Sequence, residues 1–291
     1  MDKIISFSLT DYPVRLYIAF STETVRTMNR LHGTTPTAAA MAGRTLTATA
    51  LMGSMLKNDT DVLTVTINCT GQIQRVVATA DNSGKVKCDI LNPQTEVLSK
   101  YPGKLDVAGI VGEGTLTVVK DLGMKSPYVG QVDLVSGEIA QDFTYYFATS
   151  EQTPSAVSLG VFVGRDLDII SAGGFILQLM PNCPEEALVV LEENIAKIPT
   201  ISEMLTGGYD EYMIAEALFG DMRYHKLGEM PLEYYCDCNE DKIHKLILAL
   251  GKNEIEDMIA SGEDIELVCH FCNKKYVVSV DELKSLLEAA L

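Results

Sequence analysis

The sequence predicts an α+β protein with a large N-terminal sheet-and-helix domain, a helical linker region and a small C-terminal domain. Short segments in which apolar and polar residues alternate dominate residues 1–180, which is typical of strands. Residues 181–230 change to short acidic helices, and residues 231–291 carry two close pairs of cysteines. The chain has 291 residues, 47% of them hydrophobic, so the first domain can bury a sizeable core.

The sheet of the first domain is predicted from period-two alternation. In residues 61–68, Leu63, Val65 and Ile67 share one face and threonines lie on the other, which indicates a half-buried strand. A second strand at 73–80 leads into an Asp-Asn-Ser-Gly turn. By the same reasoning we predict further strands at 86–90, 115–120, 131–136, 144–148, 157–163 and 169–180.

Two helices are predicted to interrupt this sheet. The first spans residues 21–31. The second begins after Thr35, which suits an N-cap, with Pro36 at the first helical position. It continues over residues 37–56, which are rich in Ala, Gly, Thr and Met. Because most of these side chains are small, we expect this helix to pack closely against the sheet as part of the core.

The segment 181–230 is predicted to be a helical linker. One helix begins at Pro184 and ends before Pro199, and a second short helix spans residues 211–219. Both are short and acidic, with narrow apolar faces. Short helices of this kind are marginal in water, so we expect the linker to depend on its neighbours for stability.

The formal net charge is −17, and it is distributed unevenly along the chain. Residues 1–180 carry a net charge of −3, whereas 181–230 and 231–291 carry −7 each. This balance argues against nucleic acid as a partner, which needs clustered Lys and Arg, and against an anionic membrane surface. The N-terminus lacks the apolar stretch of a signal peptide, and the longest apolar run is too short and polar to span a bilayer. We therefore predict a cytoplasmic protein, whose thiols stay reduced.

The seven cysteines provide the strongest functional motif. Cys236 and Cys238 form a CxC pair, Cys269 and Cys272 form a CxxC pair, and thirty residues separate the two pairs. Zinc prefers tetrahedral thiolate coordination, and each close pair places two sulfurs on one metal with little loop closure. We therefore predict one structural zinc ion bound by these four residues. The remaining cysteines are scattered and have no predicted role: Cys69, Cys88 and Cys183.

The residues between the two pairs predict local structure that suits a metal site. Asn239 is a suitable N-cap, and apolar residues at helical spacing lead to Gly251, a C-terminal stop. A second helical segment ends at Gly262. Alternating residues then predict a strand entering the CxxC knuckle and another leaving it. His270, inside the CxxC, is predicted to be exposed rather than a ligand, because four thiolates already fill a tetrahedron.

The C-terminal domain is predicted to depend on its metal. About sixty residues rarely bury enough core to fold alone. Structural zinc contributes on the order of 10–16 kcal/mol to the folding of small peptides. Zinc itself has no redox chemistry, but a disulfide brings two sulfurs to ~2.05 Å and removes both as donors. We therefore interpret the four thiolates as a redox switch.

In these cysteine motifs and several others, the chain resembles the 33-kDa chaperonin family, the redox-regulated heat-shock holdases of bacteria. The resemblance covers the full length. It rests on the spacing of CxC and CxxC and on His270 and Phe271 within Cys-His-Phe-Cys. Further motifs that carry it lie upstream, at residues 36–37, 43–45, 118–123, 136–140 and 173–181.

The resemblance implies an ATP-independent chaperone of the stress response rather than an enzyme. It implies that the reduced, zinc-bound form is inactive. It further implies that oxidation forms the disulfides Cys236–Cys238 and Cys269–Cys272, releases zinc, and unfolds the zinc domain and the linker. The oxidised protein would then form a homodimer and bind unfolded or aggregation-prone client proteins.

Two other classes of function compete with the redox-regulated chaperone as interpretations of the sequence. A zinc-ribbon module that binds nucleic acid is opposed by the negative charge. A thiol oxidoreductase would place its CxxC beside a βαβ unit, whereas this CxxC lies near the end of the chain in a predicted knuckle. The sequence shows no Ser-His-Asp arrangement, no phosphate-binding glycine loop and no carboxylate pair with evident partners.

Overall fold

The computed structural model describes residues 1–97, 99 and 103–289, and its contacts divide the chain into two units, Met1–Tyr235 and Cys236–Leu291. Each unit contains both helices and strands, so the predicted α+β class is confirmed. Residues 181–230 belong to the first unit. The threefold division at residues 180 and 230 therefore stays a prediction.

The first unit contains eleven strands and seven helices among the described residues. In chain order the strands are β1 Lys3–Leu9, β2 Val14–Phe20, β3 Val62–Cys69, β4 Arg75–Asp81, β5 Lys85–Ile90, β6 Gly114–Asp121, β7 Tyr128–Asp133, β8 Ser155–Val163, β9 Ile169–Leu179, β10 Tyr224–Pro231 and β11 Glu233–Tyr234. The helices are α1 Thr22–His32, α2 Pro36–Gly53, α3 Val107–Val111, α4 Ala140–Thr149, α5 Glu185–Ile195, α6 Ile201–Thr206 and α7 Glu211–Phe219.

Five of these strands form an antiparallel sheet, sheet A, in the order β10-β1-β2-β9-β8. Lys3 on β1 lies opposite Phe20 on one side and opposite Pro231 on the other, so the sheet joins the two ends of the unit. The Gly-Gly pair in β9 belongs to a motif that carried the family resemblance. A Cβ added at Gly173 would lie 2.4 Å from the Ala19 carbonyl oxygen, so this motif serves close strand packing.

Six strands form sheet B in the order β11-β5-β4-β3-β6-β7. All its pairs are antiparallel except the short parallel pair of β11 with β5. The alternation that predicted β3 is confirmed, because Leu63, Val65 and Ile67 are fully buried. At the far side of the sheet, β7 pairs with β6 alone and is an edge strand.

Helix α2 is the central element of the largest hydrophobic core. Sixteen of its eighteen residues are buried, and it contacts strands of both sheets. Its Thr35 side chain accepts a hydrogen bond from the N–H of Ala38, so the predicted N-cap is confirmed. The threonine hydroxyls inside this apolar helix donate to carbonyls one turn earlier, which satisfies them without water.

Helices α5, α6 and α7 cover the other face of sheet A. Leu191, Met204 and Leu218 are buried against apolar side chains of β1, β2 and β9 such as Phe7 and Phe175. Each helix buries one narrow apolar face and exposes most of its acidic residues, as the sequence predicts for α5 and α7, although Glu211 at the start of α7 is half-buried. The capping box of Thr200 and Glu203 begins α6, a helix that the sequence analysis did not identify.

The predicted strand at 144–148 is wrong, because these residues lie inside α4. The buried carboxylate of Asp142 accepts hydrogen bonds of 2.8 Å from the N–H groups of Val135, Ser136 and Ile139 and fixes the start of this helix. The same loop ends β7 at Asp133, earlier than the predicted strand at 131–136. Strands β1, β2 and β10 were not predicted.

The second unit is small, and its elements are α8 Glu240–Leu250, α9 Lys252–Ser261, β12 Ile265–Val268, β13 Lys275–Val278 and α10 Val280–Ala289. The first four agree with the sequence analysis, and α10 was not predicted. Strands β12 and β13 form an antiparallel hairpin. Across the described parts of both units, none of the helices is long and apolar enough to cross a membrane.

Candidate metal centre

The CxC pair lies at the start of the second unit, immediately before α8. The backbone N–H of Cys238 donates a hydrogen bond to the sulfur of Cys236, which orders the short segment between them. The Asn239 side chain accepts from the N–H of Lys242 at 2.9 Å and caps α8, as predicted. Asp237, between the cysteines, forms an ion pair with Lys242. The capped start of α8 therefore fixes the course of the preceding segment, and with it the positions of both sulfur atoms.

The CxxC pair lies in the tight turn between β12 and β13. The N–H of Cys269 donates to the Lys274 carbonyl at 3.0 Å, and the Cys269 carbonyl accepts from Cys272 at 3.3 Å and from Asn273 at 2.7 Å. Asn273 adopts a φ of 57°, a left-handed conformation that asparagine tolerates better than most residues. The N–H of Lys274 donates to the sulfur of Cys272. The knuckle predicted from the sequence is present.

The two turns bring four sulfur atoms together. The Sγ atoms of Cys236, Cys238, Cys269 and Cys272 all lie within 4.8 Å of one another. The Sγ of Cys236 is 3.6 Å from that of Cys269, and the Sγ of Cys238 is 3.3 Å from that of Cys272. In a tetrahedron with Zn–S bonds of ~2.3 Å, sulfurs are ~3.8 Å apart. The cluster therefore fits one tetrahedral metal ion with an all-sulfur donor set.

The surroundings of the cluster shift the pKa values of its cysteines in different directions. Burial raises the pKa of Cys236 and of Cys272. Burial acts the same way on Cys238, but hydrogen bonds from the Tyr276 hydroxyl and from neighbouring cysteines outweigh it and lower its pKa to about 7. Part of the cluster is thus stabilised as thiolate near neutral pH, which is the form that binds metal and reacts with oxidants.

Comparison with known proteins identifies the family of the whole chain. A family model described as "Hsp33 protein" matches residues 2–279, which includes both sheets and all four clustered cysteines. The chain belongs to the Hsp33 family. Its resemblance to the 33-kDa chaperonins, noted from the cysteine motifs, is therefore confirmed.

Individual members of the Hsp33 family match this chain over nearly their full length. The 33 kDa chaperonin of Agathobacter rectalis is 43% identical over 285 residues, which cover 98% of this chain and 99% of the relative. The 33 kDa chaperonin of Clostridium botulinum strain Hall is 44% identical over 288 residues, covering 99% and 97%. The crystal structure of the 33 kDa chaperonin from Thermotoga maritima has a TM-score of 0.90 at 38% identity, covering 98% of both chains.

The structure of this Hsp33-family chain assembles all four cysteines that the sequence analysis selected. Their assignment as zinc ligands stays a prediction. His270 is exposed and is not part of the sulfur group, as expected of a knuckle residue. Burial raises the pKa of each of the three scattered cysteines, which lie outside the cluster: Cys69, Cys88 and Cys183.

Sequence reasoning did not identify the role of Tyr276. This residue is buried, and its hydroxyl donates a hydrogen bond of 3.1 Å to the Sγ of Cys238. The Lys274 ammonium lies 4.8 Å from the centre of its ring. The hydrogen bond raises the pKa of the Tyr276 phenol itself. An available signal was that Tyr276 alternates with Val278 on β13, which places its side chain on the inner face of the hairpin.

The unit that holds the cluster has a small apolar core. Six side chains are buried in it: Ile243, Ile247, Ile255, Tyr276, Val278 and Leu283. Cys238 and Cys269 pack against the same group. Since a core of this size rarely stabilises a domain alone, the sulfur cluster and the hydrophobic core form one structural assembly.

Proposed function

We propose that this Hsp33-family chain is a redox-regulated, ATP-independent holdase that binds unfolding proteins under oxidative stress. In this proposal the reduced form is inactive and holds one zinc ion through the four clustered cysteines. The observation that carries the proposal is the mutual proximity of these sulfurs, within 4.8 Å, in a unit with only six buried apolar side chains among its described residues. We assign no enzymatic activity to the chain and place it in the cytoplasm.

Zinc is the metal we assign to the cluster. Calcium and magnesium prefer oxygen ligands, and the group consists of four sulfurs with no carboxylate. Bound zinc supplies structural free energy and takes no part in electron transfer. Cys236, Cys238, Cys269 and Cys272 would hold it as thiolates, and Tyr276 would support the charge of Cys238 by its hydrogen bond. Metal analysis of the reduced protein distinguishes zinc from iron, which also accepts a sulfur tetrahedron.

Oxidation of the cysteines is the proposed activating step. One thiolate takes an oxygen atom from hydrogen peroxide and becomes a sulfenic acid, and a second thiol attacks that sulfur and releases water. Each S–S bond thus consumes one peroxide and transfers two electrons to its oxygens. Two disulfides use all four donors. The thin core of the unit is then insufficient to keep it folded, which couples oxidation to unfolding.

The proposed disulfides are Cys236–Cys238 and Cys269–Cys272, the pairing that the resemblance implies. Contacts of 3.6 and 3.3 Å also bring Cys236 near Cys269 and Cys238 near Cys272, so crossed pairs are within reach in the folded unit. The first disulfide removes two donors and loosens the unit, and in the loosened chain cysteines close in sequence meet far more often than those thirty residues apart, which supports the local pairing. Peptide mapping by mass spectrometry separates the two patterns.

The test of the proposed function uses the reduced, zinc-loaded chain. Hydrogen peroxide with mild heating should release about one zinc per chain, the stoichiometry of a four-thiolate site. The treated protein should suppress light scattering when a denatured client is diluted from denaturant, and native mass spectrometry should show the proposed homodimer. Equal suppression by the reduced chain would contradict redox regulation.

The matched control for this test is Cys69→Ser. Cys69 lies outside the sulfur group, and burial raises its pKa, so its loss should leave zinc release and client protection unchanged. Sustained catalytic turnover of a dithiol substrate by the oxidised chain would favour a thiol oxidoreductase instead. Retention on heparin or RNA at moderate salt would favour a nucleic-acid module, which the charge of −17 opposes.

A further inference from the structure

The edge of sheet B formed by β7 presents unpaired backbone groups. Leu134 donates its N–H to the Gly114 carbonyl at 2.8 Å, and Asp133 lies opposite Thr115 in the register of β7 with β6. In antiparallel pairs, residues that exchange hydrogen bonds alternate with residues whose N–H and C=O point away. The backbone groups of Val129, Gln131 and Asp133 therefore point away from β6. No backbone hydrogen bond from elsewhere in the described chain reaches them.

A groove runs along this edge and has α4 as its other wall. The groove has a volume of about 580 Å³, and five consecutive residues of β7, 129–133, line it together with Tyr145 and Thr149 of α4 and Ser150, which follows the helix. The helix approaches closely because residue 130 is glycine, where a Cβ would lie 2.4 Å from the Ser150 Oγ. The hydroxyl of Tyr128 donates to the Ser150 carbonyl at 3.2 Å and holds the end of α4 to the strand.

The lining of this groove is mostly polar, and exposed apolar side chains lie along it and beside it. Val129 is 57% exposed and Tyr145 is 41% exposed, and neighbouring Val135 and Met124 are 56% and 60% exposed. The only charged side chain among the described residues that line the groove is Asp133. Exposed edge strands can accept another strand through their unpaired backbone groups unless charge, proline or a covering element protects them, and β7 contains one charged residue and no proline.

From this geometry we propose that the groove between β7 and α4 binds an extended segment of an unfolded client by β-strand addition. The proposal rests on the proposed holdase function and assigns one binding surface to it. The unpaired groups of β7 recur every second residue, ~6.8 Å apart, a spacing that an extended backbone matches and a helix does not. Recognition through backbone atoms is independent of client sequence, which suits a holdase.

Charge selects among possible occupants of the groove. Asp133 at one end favours a segment with basic residues and few acidic ones. We therefore assign the groove to neutral or basic client segments that carry valine, isoleucine or aromatic side chains to contact Val129 and Tyr145.

Two variants of the full-length chain test this proposal. Gln131→Pro removes an N–H that points away from β6 and places a ring at the edge, so it blocks strand addition without removing a bond to β6. Val129→Lys places a charge on the same edge. The matched control is Val62→Lys, because Val62 is an exposed valine at 42% but lies on β3, which is paired on both sides.

The probe is a fluorescent ten-residue peptide of alternating Val, Thr and Lys, with a second version N-methylated at alternate residues to remove its N–H donors. We expect the oxidised wild type to bind the first peptide, the methylated peptide to bind at least about tenfold more weakly, and both edge variants to lose about tenfold in affinity. Val62→Lys should bind as the wild type does. Circular dichroism of each reduced variant verifies that it folds.

Equal affinity of the wild type and both folded edge variants for the unmethylated peptide would overturn the assignment of the groove. If the variants then still suppressed client aggregation after oxidation, the holdase function would stand without this surface. Failure of oxidised wild type to suppress aggregation would instead contradict the proposed function. Loss of the oxidised dimer in Val129→Lys, with unchanged peptide affinity, would show that the edge serves a second copy and would also overturn the proposal.

Discussion

The Tyr276 hydroxyl donates a hydrogen bond to the Sγ of Cys238 across 3.1 Å, which links the hydrophobic core of the small unit directly to its sulfur cluster. Four thiolates around one divalent ion carry an excess of negative charge, and a hydroxyl donor stabilises that charge. Tyr276 would therefore support a metal ion bound by these sulfurs without contacting the ion itself.

Replacement of Tyr276 by phenylalanine should weaken metal binding. The ring and its packing stay, but Cys238 loses a donor, and partners of this kind are typically worth about 10–100-fold in metal affinity. Competition of the reduced protein with a zinc chelator measures the dissociation constant. Tyr235→Phe is the control, because Tyr235 is exposed. An unchanged dissociation constant for Tyr276→Phe would show that the hydrogen bond does not support the site.

Removal of the metal should unfold the second unit and leave the first unit folded. The second unit has six buried apolar side chains among its described residues, whereas the first unit contains two large clusters on the two faces of sheet A. Hydrogen exchange of the reduced, chelator-treated chain should show rapid exchange across α8, α9 and β12–β13 and continued protection of β1–β6. Full protection of the second unit without metal would contradict its dependence on zinc.

Loss of one cluster cysteine should have a much larger effect than loss of a scattered one. Cys236→Ser removes one of four donors and should lower zinc retention to below half of the wild-type content after dialysis against a chelator, since such a site folds with its metal. Cys69→Ser should retain wild-type content. Elemental analysis of both purified variants measures the difference. Comparable losses would mean that the ligand set is wrong.

An ion pair that holds α7 to sheet A should make stability depend on pH. Lys3 donates to Glu211 at 2.8 Å, and Lys226 lies 3.8 Å away. Burial opposes ionisation of Glu211, but the hydrogen bond from Lys3 and the nearby charges outweigh it, so the pKa of Glu211 is lowered. A carboxyl whose folded pKa is depressed stabilises the fold above its unfolded pKa, and this stability is lost as pH falls through the folded value.

Glu211→Gln should accordingly reduce the free energy of unfolding by about 1 kcal/mol at pH 7. The difference from wild type should narrow as the pH falls below about 4, where the wild-type carboxyl also becomes neutral. Urea unfolding of both proteins at several pH values measures this. Glu193→Gln is a control, because the partner of Glu193 is the solvent-exposed Lys197, four residues later and just beyond the end of α5. A difference that is independent of pH would exclude the ionised pair as its cause.

Local signals in the sequence predicted much of the second unit. As the sequence analysis predicted, α8 has Asn239 as its N-cap and ends at Gly251, and α9 ends at Gly262. The four cysteines converge because two tight turns lie next to each other in the folded unit, and the local residues predict each of these turns. The bond from Tyr276 could not be foreseen, because a tyrosine with strand periodicity has no local feature that distinguishes a core role from a contact to sulfur.

The errors in the first unit have a common physical cause. Residues 144–148 contain three consecutive aromatic residues, which favour a strand, but the carboxylate of Asp142 accepts hydrogen bonds from three N–H groups of the preceding loop and starts a helix there. The pairing of β1 with β10 joins segments far apart in the chain, and no residue in either strand encodes its partner. In both cases the structure is decided by contacts that exist only in the folded protein, and the local sequence pattern does not contain them.

Helices α5–α7 connect β9 to β10, and both of these strands belong to sheet A. If the helices detach, they form a loop anchored at both ends rather than a free tail. Holding both ends of the released segment together costs entropy that grows with the logarithm of its length, so detachment gains somewhat less disorder than an unrestrained segment of the same length would. The released chain also stays within reach of the apolar face of β1 and β2 that it had covered, and would compete there with any polypeptide arriving from solution.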